Sequence, residues 1–317
     1  MEIKKIIIYG HKLHSHTHSY IHYGFYKAFK YLGYDTYWFD SSDSANNFNN
    51  FDFANSLFIT EGQVINNMPI RDDCFYVLHN VEEHKHHIIK KEHKMILQVY
   101  TQVCIKYNSI PIKNTKCHYI SPEYDILYIP WATDLLPYEI KQIRNSVVDN
   151  TIIKPENKLY VVGFMTDEWN KVKNACHKKN IEFVNYGATF NMKSKTNIQP
   201  SDNIKLIQKS IIAPAIQTKW QVDNEYIPCR IFKNISYGRM GATNNKIVNE
   251  LFDGKLIFDK DIEKLIDKSI EFEKNKDQRY KQEKIVELMD IVAHDHTYIN
   301  RIETLKEFIY KYYNVSL

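Results

Sequence analysis

Residues 225–245 read EYIPCRIFKNISYGRMGATNN, and the rest of the chain is organised around them. Pro228 has a fixed φ and no N–H, which suits the first turn of a helix. From Ile231 the apolar positions fall at helical spacing, with Ile235 one turn on and Phe232 beside them. Gly238 stands where a glycine just past a helix C-terminus would stop it. Gly241-Ala242-Thr243 then reads as a short strand or turn, and Asn244-Asn245 as the cap of a second helix at 246–252. The first of these helices has Arg230 and Lys233 near its N-terminal end. Cations oppose the helix dipole there, whereas exposed N–H groups and the positive helix end attract anions. Arg supplies a planar fork for phosphate oxygens and Lys a point charge. The placement predicts an anionic ligand, and Glu225, just ahead, could accept hydrogen bonds from sugar hydroxyls.

Outward from this stretch the chain alternates between strand and helix. A strand at 5–9, a histidine-rich loop, a helix at 20–32 and a strand at 36–39 form a βαβ unit, the opening of a doubly wound sheet. Strands at 56–60 and 74–79 continue it, with further strands at 95–104 and 116–120. A polar helix at 138–150 and a linker at 149–157 follow. A second alternation begins at Lys158, with a strand at 159–164 and another at 210–216. The expected division is an α/β domain at 1–135, a second at 155–295, and a last helix within 296–317 that returns to the first. Two such sheets predict ligands at the carboxyl ends of their strands.

Residues 225–245 resemble the donor-binding segment of GT-B glycosyltransferases. In the large retaining families of that class an acidic residue precedes, by eight positions, a second acid on a helix. Glu225 matches the first, but Lys233 stands where the second would be. That departure removes the ribose contact of the second acid and leaves retention or inversion open. Pro130-Trp131-Ala132-Thr133-Asp134 is similar to a turn before the linker in that class, and Gly163 resembles the glycine of its donor-domain loop. The resemblance implies two Rossmann-like domains facing each other across a cleft, with the N-terminal one on the acceptor side. It implies transfer of a sugar from a nucleoside-diphosphate donor to an acceptor hydroxyl, independent of metal and of any cofactor, in glycan biosynthesis. The donor side comprises Gly163, Glu225, Arg230, Lys233, Ser236, Tyr237, Thr243 and Asn244. A glycan, lipid-linked or protein acceptor is expected. A non-catalytic carbohydrate- or nucleotide-binding module and a sugar-nucleotide epimerase are the alternatives on the same fold.

The loop after the first strand holds His11, His14, His16 and His18, with His22 in the following helix. Near neutral pH an imidazole can take a proton from an acceptor hydroxyl. His18 lies near where inverting GT-B enzymes have a catalytic histidine, and His18 or His16 is the expected base. Glu61, ending a strand, is a further candidate base, and His79 and Asn80, ending the next, are acceptor-side residues. The spacing His14-x-His16-x-His18 could chelate zinc, but no nearby Cys or carboxylate completes a set, so no metal site is expected. Neither GxGxxG nor GxxxxGK[ST] occurs.

Lys and Arg number 42 against 38 Asp and Glu, a formal net charge of +4, too mild to suggest nucleic acid as a partner. The five cysteines are scattered, with no CxxC, which suggests a reduced, cytoplasmic setting. The first apolar run ends at Gly10 and reads as a strand rather than a signal peptide. No apolar run approaches the ~20 residues of a membrane span, which leaves peripheral membrane contact open.

Overall fold

The computed structural model describes residues 1–12, 18–40, 43, 50–61, 68–79, 88–100, 110–112, 115, 117–121, 123, 125–163, 165–186 and 198–317. The chain divides into two compact units, Met1–Asp134 with Tyr298–Leu317, and Leu135–Thr297.

The first unit contains β1 (Lys5–Tyr9), α1 (Ser19–Tyr31), β2 (Thr36–Phe39), β3 (Ser56–Glu61), β4 (Phe75–His79), β5 (Lys94–Gln98), β6 (Ile110–Pro111), β7 (Tyr119–Ser121) and β8 (Ile126–Tyr128). They form one sheet in the order β2-β1-β3-β4-β5-β8-β7-β6. Every pair from β2 to β8 is parallel. The β8–β7 and β7–β6 pairs are antiparallel. All of β3 and β4 is buried, as expected of parallel strands covered on both faces. Ile7, Phe58, Tyr76 and Leu78 belong to the core on one of those faces. The antiparallel edge was not legible in the sequence, because strands of two or three residues show no period. The strand expected at 95–104 ends at Gln98, and 101–109 lie outside the described residues.

The second unit contains α2 (Pro137–Val148), β9 (Lys158–Val161), α3 (Glu168–Lys178), β10 (Glu182–Asn185), α4 (Pro200–Lys209), β11 (Pro214–Ala215), α5 (Lys219–Asp223), α6 (Cys229–Ser236), β12 (Ala242–Thr243), α7 (Lys246–Leu251), β13 (Ile257–Phe258), α8 (Ile262–Asn275) and α9 (Gln278–Asp295). Its strands pair in parallel as β10-β9 and as β11-β12-β13. Leu159, Val161, Trp169, Val172, Ala242, Leu265 and Ile266 are among its core residues. The strand expected at 210–216 shortens to Pro214–Ala215, with the proline at its first position, where its missing donor is tolerated. The sequence reading missed α5, although Thr218 and Gln221 form its capping box.

Helix α6 is the helix within residues 225–245. It buries Ile231, Phe232 and Ile235. The N–H of Gly238 bonds to the Ile235 carbonyl and that of Arg239 to the Asn234 carbonyl, the paired closure of a Schellman motif. Gly238 has φ +88°, which a side chain would oppose.

Helix α10 (Tyr298–Tyr313) lies in the first unit and packs against α1, with the rings of Tyr298 and Phe25 4.7 Å apart.

Candidate active site

In the first unit two local repeats meet. His18 is the N-cap residue of α1, and His22 follows one turn later on the same face. Glu61 and His79 end β3 and β4 and are register partners, so their side chains leave the sheet on the same side. The helix sets its two histidines against this pair. Nδ1 of His18 donates to Oε1 of Glu61 at 2.6 Å. Nε2 of His22 lies 2.9 Å from Nε2 of His79. Glu61, His22 and His79 are fully buried, whereas the His18 side chain remains 22% exposed. Nε2 of His11 stands 3.6 Å from the other carboxylate oxygen of Glu61.

Hydrogen bonding assigns the buried tautomers. Nδ1 of His22 faces the His11 carbonyl at 3.2 Å, and a carbonyl only accepts, so this nitrogen has the proton. Burial pushes the His22 pKa down to about 4, against smaller raising effects of the His11 carbonyl and Glu61. The ring is therefore neutral near pH 7, and its Nε2 accepts from the Nε2–H of His79. The carboxylate of Glu61 likewise holds the proton of His18 on Nδ1 and leaves Nε2 as the basic nitrogen. This is the arrangement by which a carboxylate orients a catalytic imidazole.

The His79 ring also meets Trp131 edge to face at 5.4 Å. The chain at Trp131 is held from α10. Arg301, 1% exposed, donates from Nε to the Pro130 carbonyl at 2.8 Å and from Nη2 to the Trp131 carbonyl at 3.3 Å. Its Nη1 reaches Nε2 of His118 at 3.1 Å, and Nδ1 of His118 lies 3.0 Å from Oγ1 of Thr304. Burial, with Arg301 adding to it, pushes the His118 pKa down to about 2, so this imidazole accepts from the guanidinium as a neutral ring.

In the second unit the residues after β9 and the first turns of α3 and α6 converge. The Arg230 guanidinium stacks over the Trp169 ring at 4.9 Å, and its Nη2 points at the Val162 carbonyl, 3.4 Å away. Burial lowers the Arg230 pKa, with small opposing effects of Cys229 and Tyr226. Gly163 has φ +105°, and a Cβ there would stand 3.1 Å from Nη2 of Arg230. Glycine thus allows both the turn and the approach. Lys233, expected near the N-terminal end of α6, falls instead in its last turn, because the helix is only eight residues long, and it lies over the Tyr237 ring at 5.8 Å. Glu225 adopts φ +52°, a left-handed conformation uncommon for a residue with a side chain. The turn after it is held at the Tyr226 carbonyl by side-chain amides of Gln217 (2.7 Å) and Asn245 (3.3 Å).

Among the residues singled out from sequence, His18 and Glu61 meet each other, with His79 beside them, and Gly163 meets Arg230. Ser236, Tyr237 and Thr243 are fully buried. Ser236 bonds back to the Lys233 carbonyl at 3.0 Å, and Thr243 accepts from the Asn245 N–H at 3.2 Å. The Asn244 amide pairs with both main-chain groups of Gln217 at 2.9 Å, joining the ends of β12 and β11. His16 and Asn80 lie outside the described residues. His22, Trp131 and Arg301 were not among the candidate site residues. For His22 the signal was its spacing of four from His18, and for Trp131 the turn at 130–134, whereas nothing local ties Arg301 to the site.

No protein-family model matches the chain, and no curated protein does. Among solved structures, an alpha-glucosyltransferase in complex with UDP and a 13-mer DNA containing a central A:G mismatch aligns with TM-score 0.59 and 9% identity, over 95% of this chain and 98% of that one. An alpha-glucosyltransferase in complex with UDP-glucose and DNA containing an abasic site aligns with TM-score 0.56 and 9% identity, over 96% and 99%. A third, in complex with UDP, gives TM-score 0.55 and 8% identity over 95% and 98%. The fold is that of the GT-B glycosyltransferases. At these identities the likeness is one of fold. Among the described residues no helix is long and apolar enough to cross a membrane.

Proposed function

We propose that the protein transfers a sugar from a nucleoside-diphosphate donor to an acceptor hydroxyl without a metal ion. The observation that carries this reading is the His18–Glu61 pair at the carboxyl end of β3, an imidazole oriented by a buried carboxylate and still reached by solvent. The fold supports it, since the structures it matches include glucosyltransferases solved with UDP and UDP-glucose.

In this reading Nε2 of His18 takes the proton of the acceptor hydroxyl as the hydroxyl oxygen bonds to the anomeric carbon. The bond from that carbon to the diphosphate oxygen breaks, and its electron pair leaves with the diphosphate. Arg230 and Lys233 offset the charge that develops there, in the place a metal ion would otherwise take. The backbone at Gly163 lets the diphosphate approach closely, and Glu225 orients the donor sugar. Glycans, lipid-linked saccharides and proteins are the acceptors in this reading, since a net charge of +4 is too mild to single out nucleic acid. DNA belongs in the acceptor panel as well, because matching glucosyltransferases were solved with it.

The test is release of nucleoside diphosphate from a panel of nucleotide sugars, with and without each acceptor, in buffer containing a chelator. Acceptor-dependent release that survives the chelator is expected. Binding with no release, even slow hydrolysis, would make the protein a binding module. Conversion of one sugar nucleotide into another without acceptor would make it an epimerase.

A further inference from the structure

Arg239 follows the glycine that ends α6 and is 6% exposed. Its Nη2 donates to the Ile153 carbonyl at 3.2 Å, while its Nε is buried with no hydrogen-bond partner among the described residues. A buried guanidinium is stable only when its charge and its donors are met, and one long bond to a neutral carbonyl leaves most of that undone. The residue lines a cavity of about 370 Å³ in the second unit. Lys154 and Lys281 also line it, and Glu273 contributes the single carboxylate among its described lining residues. Glu273 is already engaged. Nζ of Lys281 donates to its main-chain carbonyl at 2.8 Å and lies 3.5 Å from its Oε1, both side chains being mostly buried.

Three cations face one carboxylate, which leaves an excess of two positive charges around a confined volume. Burial lowers the Arg239 pKa to about 10, and Glu273 offsets only part of that effect, so the guanidinium stays charged at neutral pH. The first two turns of α9, an 18-residue helix, line the same cavity through Gln278, Lys281 and Gln282. The Asp277 carboxylate caps that helix end by accepting from the Tyr280 N–H at 3.0 Å, so the excess charge at the cavity rests on the side chains of Arg239, Lys154 and Lys281.

We infer that this cavity is a second anion site, separate from the residues at Arg230, and that it takes a phosphoryl group. A guanidinium with an unmet N–H matches the oxygens of a phosphate, and Lys281 is placed as the second cation. The volume accommodates a phosphate alone or one attached to a small sugar. The chemistry of recognition is the same for both.

The experiment uses the full chain with Arg230→Ala, which removes the guanidinium of the proposed donor site and leaves only Lys233 there, so that this inference and the donor-site reading fail separately. Inorganic phosphate is titrated by calorimetry, with chloride at equal ionic strength as the blank. Saturable binding is expected, weakened about tenfold or more by adding Arg239→Met, the effect of losing one charged hydrogen-bond partner. Adding Lys281→Met instead should weaken it several-fold, and this variant serves if Arg239→Met does not fold. A hexose 1-phosphate is titrated in parallel. Tighter binding than phosphate identifies a phosphorylated sugar and equal binding identifies free phosphate, and either supports the site. No saturable binding in the Arg230→Ala chain, or affinity unchanged by both added substitutions, overturns the inference.

Discussion

Nε2 of His22 lies 2.9 Å from Nε2 of His79, a contact that requires one buried imidazole to donate and the other to accept. The first expected outcome concerns acid. His22 and His118 have folded-state pKa values depressed to about 4 and about 2, against ~6.5 for an unperturbed histidine. Below pH ~6.5 the unfolded chain therefore binds protons that the folded chain refuses, and stability falls as pH falls. Each histidine contributes a slope of about 1.4 kcal/mol per pH unit between ~6.5 and its folded pKa, and nothing above that window. Urea unfolding from pH 8 to 4.5 measures it, and His22→Gln should remove about half of the combined slope. An unchanged slope would mean that His22 titrates normally in the folded chain.

The second concerns proton transfer. If His18 is the base, His18→Ala should lower turnover ~10²-fold or more with donor affinity preserved, the usual contribution of a general base. Glu61→Gln should also lower turnover, because an amide can turn its own N–H toward Nδ1 and so no longer fixes the His18 proton on that nitrogen. Turnover unaffected by His18→Ala would move the role to Glu61 itself or to His79.

The third concerns the anion site of the second unit. Arg230→Ala should weaken nucleoside-diphosphate binding by ~1.5–3 kcal/mol, the range for hydrogen bonds to charged groups. Lys233→Ala should weaken it less, as a point charge on a flexible stem. Gly163→Ala should follow Arg230→Ala in direction, since its Cβ would come within 3.1 Å of Nη2 at a φ that disfavours alanine. Equal calorimetric affinities in all four chains would locate the diphosphate elsewhere.

The fourth concerns Arg301. Arg301→Met leaves the carbonyls of Pro130 and Trp131 without the guanidinium donors, at about 1–3 kcal/mol of stability. Trp131 packs on His79, so thermal unfolding should shift downward and Trp fluorescence should change in the folded state. A variant as stable as the parent would mean that other donors reach these carbonyls.

Much of the fold was legible in residue patterns. The apolar runs of β1, β3 and β4 and the helical spacing before Gly238 stand in the sequence because burial imposes those periods on local stretches. The ends of β3 and β4 were legible too, and with them the positions of Glu61 and His79. The antiparallel edge at β6 and β7 was not, since strands so short depend on their neighbours rather than on their own pattern. Asn244 shows the limit at the site. Its place at a helix start suggested a ligand contact, whereas its amide bonds to Gln217, a partner 27 residues away.

Which side chains stand at strand ends and helix starts follows from local sequence, because capping, glycine stops and apolar periodicity act between near neighbours. Which of them meet depends on the packed fold. His18 and Glu61 are 43 residues apart, His22 and His79 are 57 apart, and Arg230 and Val162 are 68 apart. Each pairing depends on the order of strands in a sheet, their register and the face on which a helix packs. Those are set by the joint burial of many distant apolar residues, which no local spacing records.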